Sequence, residues 1–172
     1  MKSNRWDSYF MDVAFRTAGL SYARRSKVGA VAVREKRIIA CGYNGTPEYD
    51  SNRCEDIEPL PAQRWPETLA DQLTLQREGY DFYGMDIGWA RLTTLPTVIH
   101  AEANLIFFAK KHDINLDFAT LYVTHSPCYD CAGIILPTGI SEVVYSGEYR
   151  LPDGLERLKS GNVKTRRYQN EL

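Results

Sequence analysis

From residue 98 onward the chain alternates helical and extended patterns with short connections, and few folds accept that order. His100 to Lys111 places Ala101, Leu105, Phe108 and Ala109 along one helical side, and Leu121-Tyr122-Val123 follows as a short apolar strand. Pro127 introduces a helix over about Tyr129 to Leu136, and Glu142-Val143-Val144-Tyr145 reads as the next strand. Pro152 opens a short helix to Lys159, Gly161 stops it, and Asn162 to Tyr168 forms a weak final strand. Earlier, Trp6, Phe10, Val13, Ala14, Ala18 and Tyr22 recur every three or four residues, which predicts a helix from Trp6 to Arg25. Asp7 stands early in it and Arg24 and Arg25 late, as the helix dipole prefers. Val28 to Val33 and Ile38 to Tyr43 flank the charged turn Arg34-Glu35-Lys36-Arg37 and predict an antiparallel hairpin with both faces largely buried. Together these elements predict an α/β chain: a mixed sheet with helices on both faces and sites where strands hand over to helices.

The alternation is interrupted from about Glu48 to Thr97. Pro59, Pro61, Pro66 and Pro96 punctuate this stretch, and only Glu67 to Glu78 reads as a helix. Excursions of that length inside a domain tend to be lids, binding loops or subunit contacts. At 172 residues and 44% hydrophobic content, one domain over 1–172 with an insertion at about 48–97 is the expected organisation. Lys and Arg total 21 against 22 Asp and Glu, giving a net charge of -1, which weighs against a polynucleotide partner. No apolar run approaches the roughly 20 residues of a membrane span, and no signal-peptide pattern opens the chain, so neither a membrane nor export is expected and the setting is cytoplasmic. In such a reducing compartment a Cys-X-X-Cys pair stays available for metal or redox work.

Cys128 and Cys131 form such a pair at the start of one helix, and His100-Ala101-Glu102 opens another. Each part alone has a plain reading: a surface histidine, a small-residue or redox contact, and a helix-start carboxylate drawn by the dipole. In combination they match a metal centre with one His and two Cys ligands and a Glu that is not a ligand. Cysteines three apart in a first helical turn share a face and can reach one zinc ion at about 2.3 Å, with the histidine arriving at about 2.1 Å. Three protein ligands leave a fourth position for water, the mark of a catalytic zinc, and Glu102 stands beside it as a proton carrier. Cys41 lies in an apolar strand and is expected to be buried. Cys54, among Asn52, Arg53, Glu55 and Asp56, has no well-spaced partners for a second metal.

These residues resemble the cytidine/deoxycytidylate deaminase superfamily and, within it, the deoxycytidylate (dCMP) deaminase branch, whose phage members are similar in size. The resemblance runs through Trp6-Asp7-X-Tyr9-Phe10-Met11, Ser26 to Val31, Gly42-Tyr43-Asn44-Gly45-Thr46-Pro47, His100-Ala101-Glu102-X-Asn104, Leu121 to Thr124, Pro127-Cys128-X-X-Cys131-Ala132, Gly139-Ile140 and Val143 to Tyr145. It implies a three-layer α/β/α fold with a mixed five-stranded sheet and hydrolysis of dCMP to dUMP and ammonia. It also implies a hexamer, activation by dCTP and inhibition by dTTP, with Mg(2+) accompanying the triphosphate. Carried over, His100, Cys128 and Cys131 would bind Zn(2+), Glu102 would move protons, and Asn44 would contact sugar or phosphates. The insertion, rich in Trp65, Tyr80, Phe82, Tyr83 and Trp89, is longer than the branch leads one to expect.

Two assignments go beyond the zinc motif. Arg24, Arg25 and Lys27 are the basic cluster nearest in sequence to the Gly42-Tyr43-Asn44-Gly45 turn, and Arg25 and Lys27 are candidates to read a 5′-phosphate; a favourable helix C-terminus explains them equally well. Gly42 and Gly45 permit positive φ, which would let backbone N–H groups around Tyr43 and Asn44 converge on a triphosphate, although Asn-Gly is also a common plain turn. Competing functions are a deaminase acting on a base in tRNA or single-stranded nucleic acid, and a zinc-stabilised interaction module without catalysis.

Overall fold

Residues 5–169 are described by the computed structural model. In chain order they form α1 (Arg5–Ala18), β1 (Gly29–Arg34), β2 (Arg37–Tyr43), β3 (Glu55–Pro59), α2 (Leu69–Arg77), β4 (Asp81–Phe82), β5 (Trp89–Thr94), α3 (Ala101–Lys111), β6 (Thr120–His125), α4 (Tyr129–Ile135), β7 (Glu142–Gly147), α5 (Asp153–Ser160) and β8 (Lys164–Arg167). They divide into two compact units, one built from the chain up to Ser21, Lys27–Gly45 and Ile99 onward, the other from Tyr22–Ser26 and Thr46–Val98.

The first unit holds the mixed five-stranded sheet, in the order β2-β1-β6-β7-β8. β1 runs antiparallel to β2 and β6, and β6, β7 and β8 are parallel. The two-residue period of the strands sorts their side chains into two cores. Ala30, Ala32, Leu121, Val123 and Val143 pack with Ala101, Leu105, Ile106 and Ala109 of α3, Ala132 and Ile135 of α4 and Leu158 of α5. Val31, Val33, Tyr122 and Val144 pack with Phe10, Met11 and Ala14 of α1. The result is three layers, with α1 alone on one face of the sheet.

Three local expectations are corrected. The first helix stops at Ala18 rather than Arg25, because Gly19, Leu20 and Ser21 tighten into short-range turns on Arg16, Thr17 and Ala18. Arg24 and Arg25 therefore do not serve its C-terminus. The hairpin is not buried on both faces: β2 is an edge strand, with Arg37, Ile38 and Cys41 exposed. Cys41 is thus an exposed thiol, not a core residue. The sequence pattern also missed a sheet. In the second unit β3, β5 and β4 pair antiparallel, over a small core of Leu60, Leu75, Tyr80 and Trp89. The expected helix is there as α2, opened by a capping box in which Thr68 Oγ1 accepts from Asp71 N and Asp71 accepts from Thr68 N. Buried Glu55 anchors the same unit by accepting the backbone N–H groups of Arg24 and Arg25 at 3.0 and 3.1 Å. Among the described residues no helix is long and apolar enough to cross a membrane.

Candidate active site

Helix N-caps usually carry Ser, Thr, Asp or Asn, whose side chains satisfy the exposed N–H groups. Here the N-cap of α3 is His100 and that of α4 is Cys128, and neither side chain makes a capping bond. Both point to each other instead: His100 Nδ1 lies 3.5 Å from Cys128 Sγ and 3.4 Å from Cys131 Sγ. The donor atoms of His100, Cys128 and Cys131 all lie within 4.8 Å of one another. Ligands at zinc distances in a tetrahedron stand about 3.6 Å apart, so the spacing and the two-sulfur, one-nitrogen chemistry both fit zinc. Cys54 joins no such group among the described residues; it is buried, with its thiol pushed up chiefly by that burial.

The two cysteines behave as a coupled pair. A hydrogen bond with Cys131, and then His100, hold the Cys128 thiol down to about 3. The same bond, followed by burial, drives the Cys131 thiol up. One proton leaves the pair easily and the second is retained, until a cation compensates the second negative charge. His100 is raised, first by its hydrogen bond with Cys128.

Glu102, in the first turn of α3, is 3% exposed. Burial pushes its carboxyl up to about 7, while His100 and the Cys131 thiol pull in the other direction. A carboxyl poised near neutrality beside a set of metal donors can both take and return a proton.

The turn after β2 is placed differently from its anion-cradle expectation. Neither Gly42 nor Gly45 has positive φ. The N–H of Asn44 donates to Val28 O at 3.1 Å and that of Gly45 to Ile99 O at 3.1 Å, so these groups are spent inside the protein. The Asn44 side chain is buried and accepts from Val28 N at 2.8 Å. Tyr43 O accepts from Asn104 Nδ2 at 2.8 Å, and Gly45 and Ile99 exchange two backbone bonds just before His100. The turn therefore serves as a clamp on the segment carrying His100 and Glu102. Asn104, four residues after His100 in the motif, is the partner that sequence reasoning left without a role. Lys27 and Arg25 are exposed, and Arg25 Nη1 donates to Thr94 Oγ1 at 3.3 Å.

A buried glutamate and a His-Cys-Cys donor set on two facing helix starts, over a mixed sheet, define a class, and the comparisons agree with it. Residues 4–147 match the model of the cytidine and deoxycytidylate deaminase zinc-binding region, and the chain belongs to that family. It is 36% identical over 143 residues to the deoxycytidylate deaminase of Mycobacterium phage D29, covering 83% of this chain and 95% of that one. It is 33% identical over 171 residues to the deoxycytidylate deaminase of Saccharomyces cerevisiae, covering 95% of this chain but only 45% of the yeast protein. Among solved structures, the dCMP deaminase of cyanophage S-TIM5 in complex with dCMP and dUMP superposes with a TM-score of 0.72 at 28% identity, over 97% of this chain and 99% of that one.

Proposed function

We propose that this chain is a zinc-dependent hydrolase that converts dCMP and water to dUMP and ammonia. The observation that carries the reading is the convergence of His100, Cys128 and Cys131 beside buried Glu102. The 95% and 99% coverage of two phage relatives supports extending it to the whole activity. His100, Cys128 and Cys131 would hold the ion, which when bound supplies Lewis acidity toward water. Glu102 accepts one proton of the attacking water and delivers it to the cytosine ring nitrogen as the C4–O bond forms; it then takes the remaining proton from the C4 hydroxyl and passes it to the amine as the C4–N bond breaks, leaving the C4 carbonyl and ammonia. Arg25 and Lys27 are assigned to the 5′-phosphate; Arg25→Ala or Lys27→Ala should raise KM for dCMP and leave zinc content unchanged.

The unit spanning 46–98 is read as an insertion into a single deaminase domain, an organisation supported by a family match that runs across it. Four free thiols suit a cytoplasmic setting. Assembly as a hexamer, with dCTP activating and dTTP inhibiting in the presence of Mg(2+), completes the proposal on the strength of the resemblance. Contacts to a triphosphate at this turn would come from the side chains of Tyr43 and Asn44, since the Asn44 and Gly45 N–H groups are engaged. Coupling of about 1–3 kcal/mol would change substrate affinity by about 5- to 150-fold. Saturation curves for dCMP with and without each triphosphate test regulation, and identical curves would remove it.

Metal analysis tests the centre. One zinc per chain is expected, lost in Cys128→Ser; full retention of zinc in that variant would refute the assignment.

A further inference from the structure

The two segments that carry the site each rest on a glycine with no room for a methyl group. Gly154 lies in the first turn of α5, buried against the chain that enters α4. A Cβ there would overlap the carbonyl oxygen of Pro127 and stand 2.7 and 2.8 Å from the carbonyl carbon and oxygen of Cys128. That Cys128 oxygen accepts the first helical bond of α4, from Ala132 N at 2.9 Å. On the other side Gly42 of β2 is buried under α3, where a Cβ would stand 2.6 Å from Leu105 N and 2.7 Å from Ala101 O. Ala101 sits between His100 and Glu102. In both places the obstruction is backbone, which cannot swing aside as a side chain can.

We infer that Gly42 and Gly154 are positioning residues that set the spacing of the zinc donors, by letting β2 and α5 close onto the backbones of the His100–Glu102 and Pro127–Cys128 segments. This rests on the zinc reading above. Neither glycine has a side chain to offer an ion. Each fixes where a ligand-bearing turn stands, and the donor spacing of 3.4 and 3.5 Å follows from both. For Gly42 this replaces a role in cradling an anion.

A third glycine separates positioning from mere packing. Gly29 of β1 is equally crowded, its Cβ overlapping Ala14 O and standing 2.5 Å from Ala18 N, but those atoms belong to α1, on the face of the sheet away from the site. Gly42→Ala, Gly154→Ala and Gly29→Ala would be compared with wild type, well below every melting temperature, by zinc affinity in chelator competition and by the d–d absorption of the Co(2+)-loaded proteins. Expected are zinc affinities about 10- to 100-fold weaker for Gly42→Ala and Gly154→Ala, with a shifted cobalt spectrum, as for changes to groups supporting a metal's ligands. Gly29→Ala should melt earlier yet bind zinc and cobalt as wild type does. Because Gly42 and Gly154 press on different segments, one folded variant of the two suffices. Wild-type affinity and spectrum in a folded variant, or an equal loss in Gly29→Ala, would overturn the inference. A wild-type protein that bound no zinc would instead remove the reading beneath it.

Discussion

Glu102 is a carboxylate that the fold keeps almost out of water and that burial brings to about 7. Replacing it with Gln preserves volume and would remove the proton carrier proposed above, so under that proposal Glu102→Gln should still bind zinc and lose at least about a hundredfold in turnover. Near-normal dUMP formation by that variant would contradict the role. The candidate donors His100, Cys128 and Cys131 and the glutamate beside them were legible because two short motifs state them at fixed spacings, and the structure brings the three donors together. Gly154 was not: in Pro152-Asp153-Gly154 it reads only as a helix start, and its contact with Cys128 exists only once α5 packs on α4. Gly42 was singled out for a positive φ that it does not adopt, and its close approach to α3 was not visible, since a turn glycine and a close-contact glycine look alike in sequence. His125 makes a separate point about pH. Its Nδ1 is buried without a partner among the described residues, and burial lowers its basicity. The unfolded chain therefore takes up a proton at this side chain near the ordinary value of about 6.5 before the folded one does, and the contribution of His125 to stability falls as pH drops below that value. His125→Gln should become more stable relative to wild type as pH is lowered from about 7 to 5 in urea unfolding, and a difference that does not change with pH would exclude this role for His125.

Among the elements, α1 is tied to the sheet by a buried charge network as well as by its apolar stripe. Asp7 accepts from Tyr122 Oη at 2.8 Å and from two Arg166 nitrogens at 2.9 and 2.6 Å, and Arg166 Nε donates to Glu142 at 3.0 Å. The network joins α1, β6, β7 and β8. Asp7→Ala would strand the Tyr122 hydroxyl and leave the partly buried Arg166 guanidinium with Glu142 as its remaining carboxylate. A loss of about 2 kcal/mol is expected, below the value for a fully buried pair because water still reaches Arg166. Equilibrium urea unfolding reads it, and a change under about 0.5 kcal/mol would mean that the network is not holding α1. Most helices and strands of the main sheet were readable from their apolar residues, on one face in α1 and on both in β1, whereas β8, Lys164-Thr165-Arg166-Arg167, carries none and reads only weakly. β3, Glu55-Asp56-Ile57-Glu58-Pro59, has almost none: only its first residue is buried, and its extended form comes from pairing with β5. The first helix was overextended because apolar spacing continued past Gly19 while the backbone did not.

For the whole molecule, layer order followed from the alternation of elements, whereas the chemistry followed from what the layers bring together. The sheet order places β6 at its centre, so the chain leaving it enters α4 at Cys128, next to the start of α3 at His100. A His-Cys-Cys centre with a glutamate is shared by deaminases of different bases, so it does not by itself choose a nucleotide, and that choice needs groups that recognise the rest of the substrate. The central claim is accordingly tested by one comparison: product formation by the zinc-loaded protein from dCMP and from deoxycytidine at equal concentrations, followed by chromatography. The expected result is conversion of dCMP to dUMP with one ammonia released per turnover, and little or no deoxyuridine. Absence of dUMP, or deoxycytidine consumed as fast as dCMP, would contradict it.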